Sequence, residues 1–255
     1  MAGKPSKLIY QVAVGEVPAF YERCIDSVNR YCNRYGIVHH VQREPLLKIA
    51  PKDSKRSTNA LRLGFLPIFE KEVAFDYLNQ FDQIAIVDAD IFIRNTAPDL
   101  FAQAQGAPFA GAVEREMPLT PAYATKVYKH SQGQFSGLTD VDWKWDSRGA
   151  EYFNMGLMLL DKSILPYLNG ETPEQFIRRP EFERFVNGEG HWKWSTDQTL
   201  LNWWLKKARI PALSLSWKWN ALYGAVQSVR EAYFVHFFLS SKLGTGEIER
   251  VIKTL

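Results

Sequence analysis

The sequence has little of several features that would assign it to other classes of protein. Only 2 of its 255 residues are cysteine, so it is not a disulfide-rich secreted framework. The formal net charge is only +3, and the one basic cluster, at 52–56, is short and contains an acid. We therefore expect no nucleic-acid partner. The apolar run near the N-terminus is too short for a signal peptide or a transmembrane segment.

The two cysteines, Cys24 and Cys32, lie on one predicted helix. Eight helical residues rise about 12 Å, which is more than a disulfide spans. We therefore expect two free thiols and a reducing compartment. This favours a cytoplasmic protein, and it leaves open peripheral contact with the inner face of a membrane that carries a lipid-linked substrate.

Apolar strands alternate with helical patterns along the first part of the chain. This order predicts an α/β fold whose central sheet is mostly parallel, with right-handed crossovers. We expect a single domain over 1–255, with a nucleotide-binding half at 1–114 and an acceptor half at 115–255. Residues 115–150 lose their periodicity, which predicts a long ordered loop that covers a substrate. The predicted strands are 8–14, 37–42, 83–87, 109–114, 152–161, 212–216 and 233–238. The predicted helices are 17–36, 58–79, 97–104, 173–187 and 196–208.

Two acids, Asp88 and Asp90, follow the apolar strand at 83–87. Ligands of open α/β sheets bind beyond the carboxyl ends of strands, and alternating strand residues point the same way. Two converging carboxylates repel each other unless a cation or a proton lies between them. The simplest explanation for the two acids is a site in which they bind Mn²⁺ or Mg²⁺ and the cation holds a diphosphate. Two alternatives remain. Asp90 could cap a helix or a turn while Asp88 is an isolated surface acid, or the pair could form a phosphatase-type site in which an aspartate is the nucleophile.

Four segments in order resemble the retaining glycosyltransferases of the glycogenin type, glycosyltransferase family 8, which also includes bacterial lipooligosaccharide galactosyltransferases. The resemblance implies the GT-A fold, a nucleotide-sugar donor that is usually a UDP-sugar, and Mn²⁺. A hexose such as galactose or glucose would be transferred to a glycan, for instance in surface polysaccharide or lipopolysaccharide synthesis. The segments are QIAIVDADIFIRN at 83–95, YFNMGLMLLD at 152–161, TDQTLLN at 196–202 and VHFFLSSK at 235–242.

The resemblance also implies roles for individual residues. The metal ligands would be Asp88, Asp90 and His236, and Lys242 would face the leaving diphosphate. The catalytic residues would be Asp197, Gln198 and Asn154. Asp197 or Gln198 would serve as nucleophile in a double displacement, and a front-face mechanism would need no nucleophile. Further donor contacts would come from Gly15, Arg62, Ala89 and Gly156. Sugar rings stack on tryptophan, so the candidate acceptor residues are Trp143, Trp145, Trp192 and Trp194.

Three other functions stay open at this point. An inverting glycosyltransferase would need a general base, for which Glu114, Glu116, Asp140 and Asp142 are candidates. A nucleotidyltransferase would share the fold and the acids, but the first strand is not followed by a glycine-rich basic loop for a triphosphate. A binding module that has lost catalysis would not need Asp88, Asp90, His236 and Lys242 together.

Overall fold

A six-stranded sheet forms the centre of the protein. The computed structural model describes residues 6–51, 62–104, 106–194, 197–238 and 243–255, apart from the side chains of 193, 194 and 245. The strands follow the order β2-β1-β3-β6-β5-β7, and β6 alone runs antiparallel to its neighbours. The sheet is therefore mixed but mostly parallel, as predicted. Its strands are β1 Lys7–Val12, β2 Val38–Gln42, β3 Gln83–Val87, β5 Phe109–Val113, β6 Phe153–Asp161 and β7 Ala212–Leu215.

A second, three-stranded sheet in the order β4-β9-β8 lies beyond the end of β3. Its strands are β4 Ile91–Ile93, β8 Ala221–Leu222 and β9 Phe234–His236. β4 pairs antiparallel with β9, so that Ile91 lies opposite His236, and the Phe237 amide donates to the Asp90 carbonyl at 3.0 Å. This pairing brings the acidic segment and the last predicted motif together.

Helices cover both faces of the central sheet, and all sizeable apolar side chains of β3 and β5 are buried between them. No helix in the described part of the chain is both long and apolar enough to span a membrane. The α-helices are α1 Phe20–Tyr35, α2 Pro121–Phe135, α3 Leu165–Leu168, α4 Pro173–Ile177, α5 Glu183–Asn187, α6 Asp197–Lys207 and α7 Thr245–Ile252. The 3₁₀ helices are Pro67–Asn79, Leu100–Gln103, Glu114–Glu116, Lys162–Ile164, Pro180–Phe182, Gly190–Trp194 and Trp217–Trp219.

The structure corrects the predicted loop at 115–150. Residues 121–135 form α2, and the Thr120 hydroxyl accepts the Tyr123 amide at the start of this helix, with Pro121 as its first residue. Threonine followed by proline is a helix-start signal. The apolar pattern did not reveal the helix because it buries the polar Ser131 and Gln134 beside Val127 and Phe135.

Two further predicted helices are interrupted. The helix predicted over 58–79 is helical at 62–63, breaks at Gly64, which adopts a left-handed φ of 75°, and resumes as the 3₁₀ helix Pro67–Asn79. Residues 58–61 of that prediction lie outside the described chain. The helix predicted over 173–187 is divided into α4 and α5, and Pro180 opens a short 3₁₀ turn between them. The two cysteines are free and buried, as predicted.

Candidate active site

Asp88, Asp90 and His236 meet at the junction of the two sheets. His236 Nε2 lies 3.2 Å from Asp90 Oδ1 and 3.8 Å from Asp88 Oδ2. The acids occupy the tight turn between β3 and β4 rather than the strand itself, and the Ile91 amide closes this turn on the Asp88 carbonyl at 3.0 Å. The alternating side chains of a strand therefore do not explain why they converge. The turn and the β4–β9 pairing bring them together.

The donor set suits a divalent cation. One ligand atom from each of the three residues lies within 4.8 Å of the others, and Asp90 Oδ1 is buried with no hydrogen-bond partner. A buried carboxylate oxygen is costly unless it is paired, protonated or bound to a metal. Carboxylate oxygens with one imidazole nitrogen are ligands that Mn²⁺ accepts.

The site has a marked electrostatic imbalance. Burial raises the pKa of Asp88, and Asp90 and Asp197 raise it further against the lowering effects of Lys71 and His236. Burial lowers the pKa of His236, but Asp90 and Asp88 outweigh it, so that the pKa is raised overall. The raised pKa of His236 thus reflects the two carboxylates that converge beside it. A cation there would reverse this imbalance.

Lys71 is a central residue of the site that the sequence analysis missed. Lys71 is only 4% exposed, and its ammonium donates to Asp88 Oδ1 at 2.8 Å and to the Met155 carbonyl at 3.1 Å. The same ammonium forms an ion pair with Asp197 Oδ2 at 2.7 Å. Burial lowers its pKa, but Asp197 and Asp88 raise it overall, so the amine stays charged. Lys71 lies on the 67–79 helix between Glu70 and Glu72, so its charge has the local pattern of an ordinary surface segment.

Arg62, the basic residue expected near the donor, makes a different contact. It pairs with Glu16 at 2.6 Å, with both side chains largely exposed. Glu16 follows Gly15, which has a left-handed φ of 78° at the end of β1. Arg62 therefore lies at the first strand end, away from the contacts that Lys71 makes. Ala89 is buried against Ala13 and Ile25.

The start of α6 adjoins the same site. Asp197 is buried and bound to Lys71, and the Gln198 side-chain oxygen accepts the Met155 amide at 3.3 Å. Asn202, one helical turn later, bonds both the amide and the carbonyl of Phe153, at 2.7 and 2.8 Å. The motif at 196–202 is thus attached directly to the strand that carries the motif at 152–161.

Gly156 leaves room for the imidazole of His236. A β-carbon added at this position would lie 2.3 Å from His236 Cε1 and 2.6 Å from Nδ1. Asn154, two residues earlier on the same strand, is buried, and its side-chain nitrogen donates to Glu114 at 2.9 Å. Burial raises the pKa of Glu114, although Asn154 and Tyr152 act in the opposite direction.

The four candidate acceptor tryptophans lie in different environments. Trp143 is 2% exposed, packs on Phe135 and donates to the Leu138 carbonyl, so it has no free face for a sugar. Trp145 is 41% exposed. Trp192 is partly buried and packs against Phe185. The side chain of Trp194 and the whole of Lys242 lie outside the described residues.

Comparison with known proteins supports the fold. No protein-family model and no curated protein matches the chain. A glycosyltransferase involved in the glycosylation of the major capsid of PBCV-1 has 14% identity, covers 98% of this chain and 100% of its own, and has a TM-score of 0.50. Mouse xyloside xylosyltransferase 1, in its apo form, has 14% identity, covers 92% and 98%, and has a TM-score of 0.52. This chain has a GT-A-type glycosyltransferase fold.

Proposed function

We propose that this protein is a metal-dependent glycosyltransferase that moves a hexose from a nucleotide-sugar to a glycan acceptor. The observation that carries the proposal is the Asp88–Asp90–His236 cluster beyond the end of β3, in which the buried Asp90 Oδ1 accepts no hydrogen bond. In α/β sheets, the carboxyl ends of strands are where nucleotide ligands bind. The GT-A-type fold makes a nucleotide-sugar the expected ligand at that position.

The charge of the site supports a divalent cation. Asp88, Asp90 and Asp197 supply three carboxylates, and Lys71 supplies one ammonium. With a neutral His236, two negative charges remain, which Mn²⁺ or Mg²⁺ would balance. A bound cation of this kind would stabilise the charge that develops on the leaving diphosphate.

The residues of this chain then have distinct roles. Asp88, Asp90 and His236 hold the cation, and Lys71 holds Asp88 and Asp197 in fixed positions through its ion pairs with both carboxylates. Asp197 and Gln198 face the donor sugar from the start of α6. Gly15 permits close approach of the nucleoside to the end of β1. Lys242 is proposed as a second positive charge for the diphosphate.

We propose a UDP-sugar donor and retention of the anomeric configuration. One carboxylate oxygen of Asp197 is held by Lys71 at 2.7 Å. A double displacement would need the other oxygen of Asp197, or the Gln198 amide, at the anomeric carbon, whereas a front-face reaction needs neither. The acceptor would be a glycan or lipid-linked glycan of a surface polysaccharide, with Trp145 and Trp192 as the accessible aromatic contacts.

A thermal-shift screen of nucleotide-sugars with Mn²⁺ tests the donor assignment. A ligand that binds only the native state stabilises it by about 2.7 kcal/mol at a concentration 100 times its Kd. We expect one nucleotide-sugar to raise the melting temperature in Mn²⁺ and to lose this effect in EDTA. No shift with any nucleotide-sugar would contradict the proposal. Pyrophosphate release from a nucleoside triphosphate would instead favour a nucleotidyltransferase.

Asp90→Asn tests the metal role directly. We expect Mn²⁺-dependent donor hydrolysis to fall at least about 100-fold, since charge stabilisation of the leaving group is lost. Asp26→Asn, on the exposed face of α1, is the matched control and should keep full activity. Unchanged activity in Asp90→Asn would remove the metal role. NMR of the glycoside product decides retention: a β-linked product from an α-linked donor would show inversion.

A further inference from the structure

Three hydrogen bonds, through the side chains of Asn154 and Asn220, connect Glu114 to the imidazole of His236. Asn154 Nδ2 donates to Glu114 Oε2 at 2.9 Å, and Asn220 Nδ2 donates to Asn154 Oδ1 at 2.9 Å. Asn220 Oδ1 then lies 3.0 Å from His236 Nδ1. All four side chains are buried. This series of hydrogen bonds is therefore shielded from solvent along its whole length, from the end of β5, through β6, to β9.

Two backbone groups determine which way the amides point. The Gly156 amide can only donate, and it donates to Asn154 at 3.1 Å, so the atom of Asn154 that it meets must be the oxygen. The Asn154 carbonyl can only accept, and the Asn220 side chain meets it at 3.4 Å while also meeting Asn154 Oδ1. Both of these are acceptors, so the Asn220 atom that faces them must be the nitrogen. The Asn220 oxygen is left facing His236.

An oxygen facing Nδ1 requires a proton on that nitrogen. With the proton on Nε2 alone, Asn220 Oδ1 and the bare Nδ1 would be two acceptors 3.0 Å apart. We propose that Asn220, oriented by Asn154, keeps a proton on Nδ1 of His236, so that Nε2, which faces Asp88 and Asp90, is the nitrogen available to a cation. Asn220 is then a positioning residue for the metal site.

The inference about metal binding rests on the proposed function, whereas the tautomer does not. A hydrogen bond to the second ring nitrogen fixes the orientation and tautomer of a metal-binding histidine, and losing it costs about 10–100-fold in metal affinity or activity. His236 Nε2 lies 3.2 Å from Asp90 Oδ1, beside the proposed ion position. The Gly156 contact with the ring restricts its rotation further.

Nitrogen-15 NMR of histidine-labelled protein tests the tautomer without any metal. The chain has 5 histidines, and the resonances of His236 are identified by their loss in His236→Gln. In metal-free protein we expect a protonated Nδ1, hydrogen-bonded to Asn220, whether or not Nε2 also carries a proton. A bare Nδ1 with a protonated Nε2 in the wild-type protein would overturn the proposal, whatever the variants do.

Mn²⁺ affinity, measured by electron paramagnetic resonance without donor, tests the consequence. Asn220→Leu removes the acceptor and should weaken Mn²⁺ binding about 10–100-fold. Asn220→Asp keeps an oxygen toward Nδ1 and should keep the Nδ1–H tautomer. Ser27→Ala is the control: it removes a buried hydrogen bond to the Ile93 amide on β4, at 2.8 Å, and should leave both the tautomer and the affinity unchanged.

The two proposals fail in different ways. If wild-type protein binds no Mn²⁺ but shows the Nδ1–H tautomer, the metal role in the proposed function fails and the tautomer assignment stands. If wild-type protein binds Mn²⁺ and folded Asn220→Leu binds it equally well, the positioning role of Asn220 is overturned. If Asn220→Leu does not fold, the wild-type NMR spectrum still decides the tautomer.

Discussion

His236 Nε2 lies 3.2 Å from Asp90 Oδ1, because β9 ends with the histidine directly opposite the first residue of β4. Asp90 immediately precedes that strand, and its carbonyl accepts the Phe237 amide at 3.0 Å. Backbone pairing therefore sets the distance between the two side chains. Substitutions that leave this pairing intact should change the chemistry of the site without moving its ligands.

Gly156→Ala should damage the site by steric conflict. The new methyl would lie 2.3 Å from His236 Cε1, well inside van der Waals contact. We expect a loss of about 1–3 kcal/mol in the free energy of unfolding, with weaker Mn²⁺ binding. Gly133→Ala is the control, because it lies within α2 with open space around it and should stabilise the protein by about 0.4–1 kcal/mol. Urea unfolding measures both, and equal effects would contradict the prediction.

Lys71→Met should destabilise the metal-free protein strongly. It leaves Asp197 buried without its ammonium partner, and breaking a buried ion pair by removing one partner costs about 3–5 kcal/mol. Lys162→Met removes the exposed pair with Asp82 and should change the free energy of unfolding little. Mn²⁺ should recover part of the loss in Lys71→Met, because the cation offsets the same carboxylates. A Lys71 variant as stable as wild type would disprove this role.

Glu72→Gln should make the protein more stable at neutral pH. Neither carboxyl oxygen of Glu72 has a hydrogen-bond partner, and burial, followed by the charge of Asp197, raises its pKa well above the usual value. The native state therefore holds a proton that the unfolded chain has released above about pH 4.5, so this residue costs stability as pH rises. We expect a gain of about 1–3 kcal/mol at pH 7.

Denaturant unfolding between pH 5 and pH 8 separates this effect from simple repacking. The gain in Glu72→Gln should shrink as the pH falls, because the unfolded wild-type glutamate regains its proton there. Glu181→Gln, on the exposed 180–182 turn, provides a matched surface change that should not alter the pH dependence. A pH-independent gain in Glu72→Gln would contradict the charge explanation.

His39 should destabilise the protein as the pH falls, whereas Glu72 should destabilise it as the pH rises. Burial, followed by the neighbouring His40, lowers the pKa of His39 to about 4, and its Nε2 lies 2.9 Å from Gln11 Oε1. The unfolded histidine gains a proton near pH 6.5, so stability is lost as the pH falls from about 6.5 to 4. Since the ring is partly exposed, we expect His39→Gln to remove on the order of 1 kcal/mol of this loss. Unchanged acid unfolding profiles would refute it.

Local patterns predicted much of the fold. The apolar runs at 83–87 and 109–114 became β3 and β5, because strands buried on both faces need continuous apolar sequence. The pattern failed at α2, where Ser131 and Gln134 are buried through hydrogen bonds to other parts of the chain. Their burial depends on partners distant in sequence, which no local periodicity can reveal.

The sequence by itself determined where the strands of the central sheet lie, that Cys24 and Cys32 cannot bridge, and that Asp88 and Asp90 follow a buried strand. Each of these depends on residues close together in the chain. Only the tertiary structure decided that β4 pairs with β9, that Lys71 joins Asp88 to Asp197, and that Asn220 faces His236. These contacts join elements far apart in sequence, and their geometry follows from sheet pairing and from the requirement that buried polar atoms find partners.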